Sequence, residues 1–214
     1  MFYKKFNDYV QYGNYIREFT NNNVTRPVSI NGPITGDGAK LQGIEVAYQQ
    51  FFDALPEPWN GLGLQTNATY VDNKGITNSN LTTVSGGGTV QQDPLITFTD
   101  LPLEGYSKMT YNLVLMFEQP KWSARLAWNW RDEYLISQSD CCIKLPIWQD
   151  AYGQLDGSVH FKPSSSWDIF LDAQNLTESE TVLRQQVTND GLLLPRSWFT
   201  NDMRLQLGVR YRIQ

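Results

Sequence analysis

Hydrophobic and polar residues alternate with a period of two along much of this chain. The clearest case is a pair of runs within residues 105–135, joined by the short turn Gln119-Pro120-Lys121. In the first run Met109, Tyr111, Leu113, Leu115 and Phe117 share one face, while Lys108, Thr110, Asn112 and Glu118 lie on the other, interrupted by Val114 and Met116. In the second, Trp122, Ala124, Leu126, Trp128 and Trp130 oppose Ser123, Arg125, Asn129 and Arg131. Successive side chains of a strand point to opposite faces, so each run predicts a ribbon with one apolar and one polar side. A strand of a soluble sandwich alternates in the same way, so this hairpin alone does not say what solvent its apolar face meets.

The same period predicts strands at 2–12, 41–52, 62–70, 155–161, 167–173 and 203–213, and no helix. The last is the most regular: Met203, Leu205, Leu207, Val209, Tyr211 and Ile213 face one way, and Arg204, Gln206, Gly208, Arg210 and Arg212 the other. Connections then alternate in length. Short ones fall at 54–61, 119–121 and 163–166, and long, Gly/Ser/Thr/Asn-rich ones at 13–40, 72–104, 136–150 and 177–202. Short turns at one end and long loops at the other predict an all-β fold: an antiparallel up-and-down transmembrane β-barrel segment of about eight strands, its turns periplasmic and its loops extracellular. Trp122 and Trp167 each open a strand directly after a short turn, and Tyr211 nears the end of the last strand, where an interfacial aromatic girdle belongs.

Composition narrows the reading further. The chain has 214 residues, 13% of them aromatic, with seven Trp and eleven Tyr, which is the supply a girdle needs. Only 18% are charged and the net charge is −5, so no basic face is offered to nucleic acid. No apolar run approaches the ~20 residues of a membrane helix, whereas strand alternation hides a barrel's apolar face from any averaged hydropathy. The N-terminal residues have no secretory core or cleavage site, and read as though already within a strand; an export signal is expected upstream.

Candidate chemistry is sparse. The single histidine, His160, lies on a polar face with Ser158 and Asp156, but along one strand those two are only ~7 and ~14 Å away in sequence-fixed steps, which does not assemble a triad. A solvated histidine is the reading, and Asp156, Asp168, Asp172 and Glu118 are read as ion-pair partners of neighbouring cations rather than acid/base pairs. No catalytic residue, metal site or cofactor is expected. Cys141 and Cys142 are adjacent and cannot staple distant strands. The glycines Gly86 to Gly88 lack the lysine and helix of a phosphate loop, and the patterns at Asn67, Asn80 and Asn175 are chance matches to a glycosylation site. Ligand contacts are expected in the long loops, where Trp148, Arg184, Arg196 and Trp198 combine stacking surfaces with donors. Arg125, Asn129, Arg131, Asp156, His160, Arg204 and Arg210 are expected to face a barrel lumen.

Five segments, GAKLQGIEVAYQQFF, GLGLQTNATYVDN, LPLEGYSKMTYNLVLMFEQPKWSARLAWNWRDEYL, GQLDGSVHFKPSSSWDIFLDAQNLTE and LGVRYRI, resemble in order and spacing the C-terminal barrel of TonB-dependent receptors. The resemblance implies a piece of a barrel of about 22 strands with an N-terminal plug. It implies location in the outer membrane of a Gram-negative bacterium, contact with its lipid, and energy-coupled uptake of a nutrient such as a siderophore, cobalamin or an oligosaccharide. Residues 1–214 are then the C-terminal portion, with the plug, the TonB box and the earlier strands outside it, and the TonB complex is reached only through those parts. Two other readings stay open. A self-contained eight-stranded barrel, an adhesin or structural protein, requires a ladder between the first and last strands. A soluble carbohydrate-binding sandwich requires a second sheet over the Trp-rich faces.

Overall fold

A computed structural model describes residues 1–36, 38–74, 101–138, 145–188 and 190–213. Its strands are β1 (Phe2–Phe6), β2 (Tyr9–Asn21), β3 (Val24–Gly36), β4 (Ala39–Phe51), β5 (Leu62–Lys74), β6 (Met109–Glu118), β7 (Trp122–Arg131), β8 (Tyr134–Ser137), β9 (Ile147–Gln149), β10 (Tyr152–Ser164), β11 (Trp167–Gln174), β12 (Thr181–Gln186), β13 (Leu193–Phe199) and β14 (Arg204–Tyr211). The three glycines Gly86 to Gly88, the pattern at Asn80 and both cysteines, Cys141 and Cys142, lie outside the described residues.

Eight of these strands form one antiparallel sheet in the order β1-β4-β5-β6-β7-β10-β11-β14; seven answer to the strands that the alternation predicts, while the strand expected over 2–12 is split, β1 ending at Phe6 and Tyr9 to Tyr12 opening β2 of a separate sheet. Register joins their faces into two continuous surfaces. Thr66 pairs with Leu113, Leu113 with Trp128, and Trp128 with Leu155. Further along, Phe161 pairs with Ile169 and Ile169 with Val209, so one face stays almost wholly apolar from β5 to β14. Nothing among the described residues covers it: Val46, Leu115, Leu171, Leu207 and Val209 are all exposed, Leu207 at 76%. A monomeric soluble protein does not leave a surface of this extent in water. The run from Trp122 to Trp130 spans about 26 Å along its strand, the height of the apolar band of an outer-membrane barrel.

The sheet is open among the described residues, with β1 and β14 as its edges, where the larger-barrel reading puts them. Among the described residues no first-to-last ladder closes it and no second sheet covers the apolar face; those are the features the two other readings required. Backbone bonds close the short turns, Gln119 N–H to the Trp122 carbonyl (2.7 Å) and Phe52 N–H to that of Leu62 (2.8 Å). The β4–β5 connection carries a single 3-10 turn, Trp59–Gly61.

Three stretches read as irregular loops are instead strand. Residues 13–40 contain most of the 13-residue ribbon β2–β3, turned at Asn22 and Asn23, both with positive φ (50° and 59°). Asparagine tolerates that conformation and suits a two-residue hairpin. Residues 136–150 and 177–202 supply β9, half of β8, and β12 and β13, which assemble as a four-stranded sheet ordered β13-β12-β9-β8. These elements escape periodicity because neither side of them is uniformly apolar: Val10, Phe19, Val24 and Val28 of the ribbon are exposed beside polar neighbours.

Candidate functional site

The seven residues read as lumen-facing lie on the face opposite the apolar one. Arg125 pairs with Ser158, Asn129 with Gln154, Arg131 with Tyr152 and Arg204 with Gln174, while Asp156 pairs with Ala127, His160 with Ser123 and Arg210 with Asp168. This follows from the two-residue period once the ladders are in register. Among these residues Arg131 is the most firmly held: its Nε donates to Ser107 Oγ (3.0 Å), Nη2 donates to the Gly105 carbonyl (3.1 Å), and its guanidinium lies 3.7 Å over the Tyr134 ring.

Near the short-turn end, Asp168 is buried at 8% exposure and draws together residues from three strands. Its Oδ1 lies 3.1 Å from His160 Nδ1, and its Oδ2 accepts from Arg210 (3.4 Å). The ring of Phe170, an apolar residue on the polar side of β11, stacks 5.6 Å from His160 and covers Gly208, where a β-carbon would collide with it. Arg210 lies 5.7 Å above the same ring. His160 is therefore held by a carboxylate on the neighbouring strand, a partner that spacing along one strand could not reveal. The ion pairing expected of Asp168 is present. Asp156 takes amides instead: its Oδ1 accepts from Gln154 Nε2 (2.8 Å) and the Asn175 N–H (2.9 Å).

Asn175 directly follows β11, and its glycosylation pattern gives no hint of its structural role. It is buried, adopts a positive φ of 54°, donates through Nδ2 to the Asn201 carbonyl (2.6 Å), and accepts at Oδ1 from the Ser179 N–H (2.9 Å). It thereby fixes the chain where β11 leaves the sheet and where β14 enters it. Asn175→Ala removes both side-chain bonds and places a β-carbon residue without them in left-handed backbone, and should cost about 2–3 kcal/mol, read as an earlier unfolding transition in urea. Asn175→Gly should recover about 1 kcal/mol of that, because glycine accepts the backbone angle. Equal losses in the two variants would mean that the angle carries nothing.

At the opposite end the four-stranded sheet is positioned by the short links from β7 into β8 and from β9 into β10. All four ligand candidates lie on its strands rather than in loops. Trp148 of β9 pairs with Arg184 of β12, and Trp198 of β13 pairs with Val182, which puts these three side chains on one face. The donors of Arg184 and Trp148 are engaged: Arg184 binds Asp150 (2.6 Å), and Trp148 Nε1 donates to Gln186 Oε1 (2.8 Å). Arg196, beside the irregularity in the β12–β13 register, donates to Gln185 Oε1. Gln185 and Gln186 are buried and satisfied, and Gln185 also donates to the Leu145 carbonyl (2.8 Å). A glutamine pair in a polar segment gives no sign from sequence that it will be the clamp of a sheet.

One cleft of ≈ 280 Å³ opens between the ends of β5 and β7 and residues 102–108, lined among others by Asp72, Tyr106, Lys108, Asp132, Glu133 and Trp148. It brings together one of the predicted ligand residues, an aromatic partner and a predominance of carboxylates. Beside it, the Glu104 carboxyl is tucked against the Gln138 backbone; desolvation pushes it above the ordinary carboxylate value, partly offset by the Gln138 N–H it accepts (2.7 Å).

The comparisons with known proteins agree with this geometry. The family model described as TonB dependent receptor-like, beta-barrel matches residues 1–176. Comparison with curated proteins returned no match, and neither did comparison with solved structures. The matched residues take in seven of the eight strands of the open sheet, together with the short-turn and long-connection pattern, and the chain belongs to the TonB-dependent receptor-like β-barrel family of outer-membrane receptors and transporters.

Proposed function

We propose that residues 1–214 form the C-terminal arc of a larger barrel wall, and that the assembled barrel takes up a neutral or cationic, hydroxylated nutrient such as an oligosaccharide. The observation that carries the first part is the open eight-stranded sheet with one continuous, uncovered apolar face. Its two free edges invite further strands, and its polar face, with Arg125, Asn129, Asp156 and His160, suits a water-filled lumen. The TonB complex would act through parts other than this sheet.

The second part rests on the cleft at the long-connection end. Asp72, Asp132 and Glu133 outnumber Lys108 there, and Tyr106 and Trp148 supply faces against which a sugar ring stacks. Carboxylates accept from hydroxyl groups and repel an anionic chelate. Labelled oligosaccharides, cobalamin and siderophores offered to cells carrying the full-length gene decide the matter. Oligosaccharide uptake should fall roughly twofold to tenfold on Trp148→Ala, the loss of one stacking contact. Uptake restricted to an anionic siderophore would overturn the substrate class and leave the barrel reading standing.

A further inference from the structure

Arg131 ends β7, and its guanidinium is turned onto residues 101–108, the segment that leads into β6. That segment runs past β8 as a strap. The Gly105 N–H donates to the Leu135 carbonyl (2.8 Å), the Lys108 carbonyl accepts from the Val71 N–H (2.8 Å), and the Glu104 carboxylate accepts from the Gln138 N–H (2.7 Å). The strap thus joins the four-stranded sheet to β5 of the open one, and Leu135 at this junction has no exposed surface. Arg131 holds both chain neighbours of Tyr106. Its Nη2 donates to the Gly105 carbonyl and its Nε to Ser107 Oγ; that hydroxyl, buried at 5% exposure, donates onward to the Asp132 carbonyl (2.7 Å). The Tyr134 ring against the guanidinium fixes the plane from which the two donors project.

Tyr106 is exposed and lines the cleft together with Trp148, Asp132 and Glu133. A strap that carries a glycine in left-handed backbone has conformational freedom to lose, and an aromatic face adds affinity only in so far as it is held before the ligand arrives. We propose that Arg131 is a positioning residue for the cleft: it pins the strap on both sides of Tyr106 and so presets the aromatic wall against which a sugar ring of an oligosaccharide stacks. Trp148 is set separately, by its bond to Gln186. Lysine cannot take over the task, because one ammonium on a flexible stem does not serve Gly105 and Ser107 from a fixed plane. The inference rests on reading the cleft as an oligosaccharide site.

A double-mutant cycle in the full-length protein tests it, with affinity measured by titration calorimetry in detergent against a panel of neutral glucose-, xylose- and mannose-based oligosaccharides. For the tightest binder of the panel, Tyr106→Ala should weaken binding about threefold to tenfold, the loss of one stacking face. Arg131→Lys should weaken it about threefold, through lost preorganisation. The two losses should not multiply: Arg131→Lys made on top of Tyr106→Ala should add less than about twofold, whereas on top of Trp148→Ala it should keep its full factor. A general loss of structure would move both pairs alike. Ser107→Ala, which removes the hydroxyl between Arg131 and Asp132, takes the place of Arg131→Lys in the cycle if that variant does not fold. Undiminished affinity in the Arg131→Lys protein, or a full loss that persists without Tyr106, overturns the positioning role alone. A parent protein that binds no member of the panel overturns the substrate reading and this role with it.

Discussion

Leu113→Arg, made in the full-length protein, should lower the unfolding free energy of the membrane-inserted barrel by about 2–4 kcal/mol, the loss measured for a guanidinium at the midplane of an outer-membrane barrel. Leu113 sits midway along β6 on the apolar face, between Thr66 of β5 and Trp128 of β7. On that face the arginine meets hydrocarbon, with no carboxylate among the paired neighbours. The contrast that makes the prediction specific is Asn129→Arg, one strand away on the opposite face, exposed and already beside Arg125 and Arg131 in sequence. There the change should stay within about 0.5 kcal/mol, the usual range for an exposed site. Met109→Arg, at the end of the same strand as Leu113, should fall between, about 0–1 kcal/mol, because the penalty decays toward the interface. Urea unfolding in vesicles reads all three. Equal losses at Leu113 and Asn129 would mean that the faces do not meet different solvents, and the membrane reading would fail.

Gly61→Val is the second large effect, expected at about 3 kcal/mol as the cost of forcing atoms into filled space. Gly61 ends the 3-10 turn between β4 and β5, and a β-carbon there would run into the Glu118 carbonyl, which is backbone at the end of β6 and cannot swing aside. The same place is tied by Gln119, whose Nε2 donates to the Pro58 carbonyl (3.1 Å) and to Asn60 Oδ1 (2.8 Å), so two successive short turns are locked to each other. Gly105→Val is the control. Its φ of 82° strains any side chain, but nothing lies within 4 Å of the added carbon, so only the backbone penalty of about 1–2 kcal/mol applies. If Gly61→Val unfolds no earlier than Gly105→Val, the contact between the two turns does not hold the short-turn end together.

The elements legible in the chain were those with one uniform face. Met109 to Phe117 and Trp122 to Trp130 announce strand, face and partner together, because a hairpin with so short a turn fixes its own register. The ribbon β2–β3 has solvent-exposed apolar residues among polar ones, so its period carried no contrast, although Asn22-Asn23 is a hairpin signal that spacing rules can use. The strands of the four-stranded sheet are three to seven residues long, too short for a period to register, and they are held by Gln185, Gln186, Arg184 and Asp150, polar groups whose pairing depends on which segments meet.

The sequence by itself determined seven strands of the open sheet, their faces and the end to which each short turn belongs, because alternation and turn chemistry are local properties of neighbouring residues. Only the tertiary structure decided that His160 and Arg210 share Asp168, that Phe170 has its place over Gly208, that Asn175 anchors two strand ends, and that Trp148 reaches a carboxylate-rich cleft. Each of those depends on register between strands separated in the chain. A one-residue slip would turn every one of these side chains to the other face, and no pattern along a single strand contains that information.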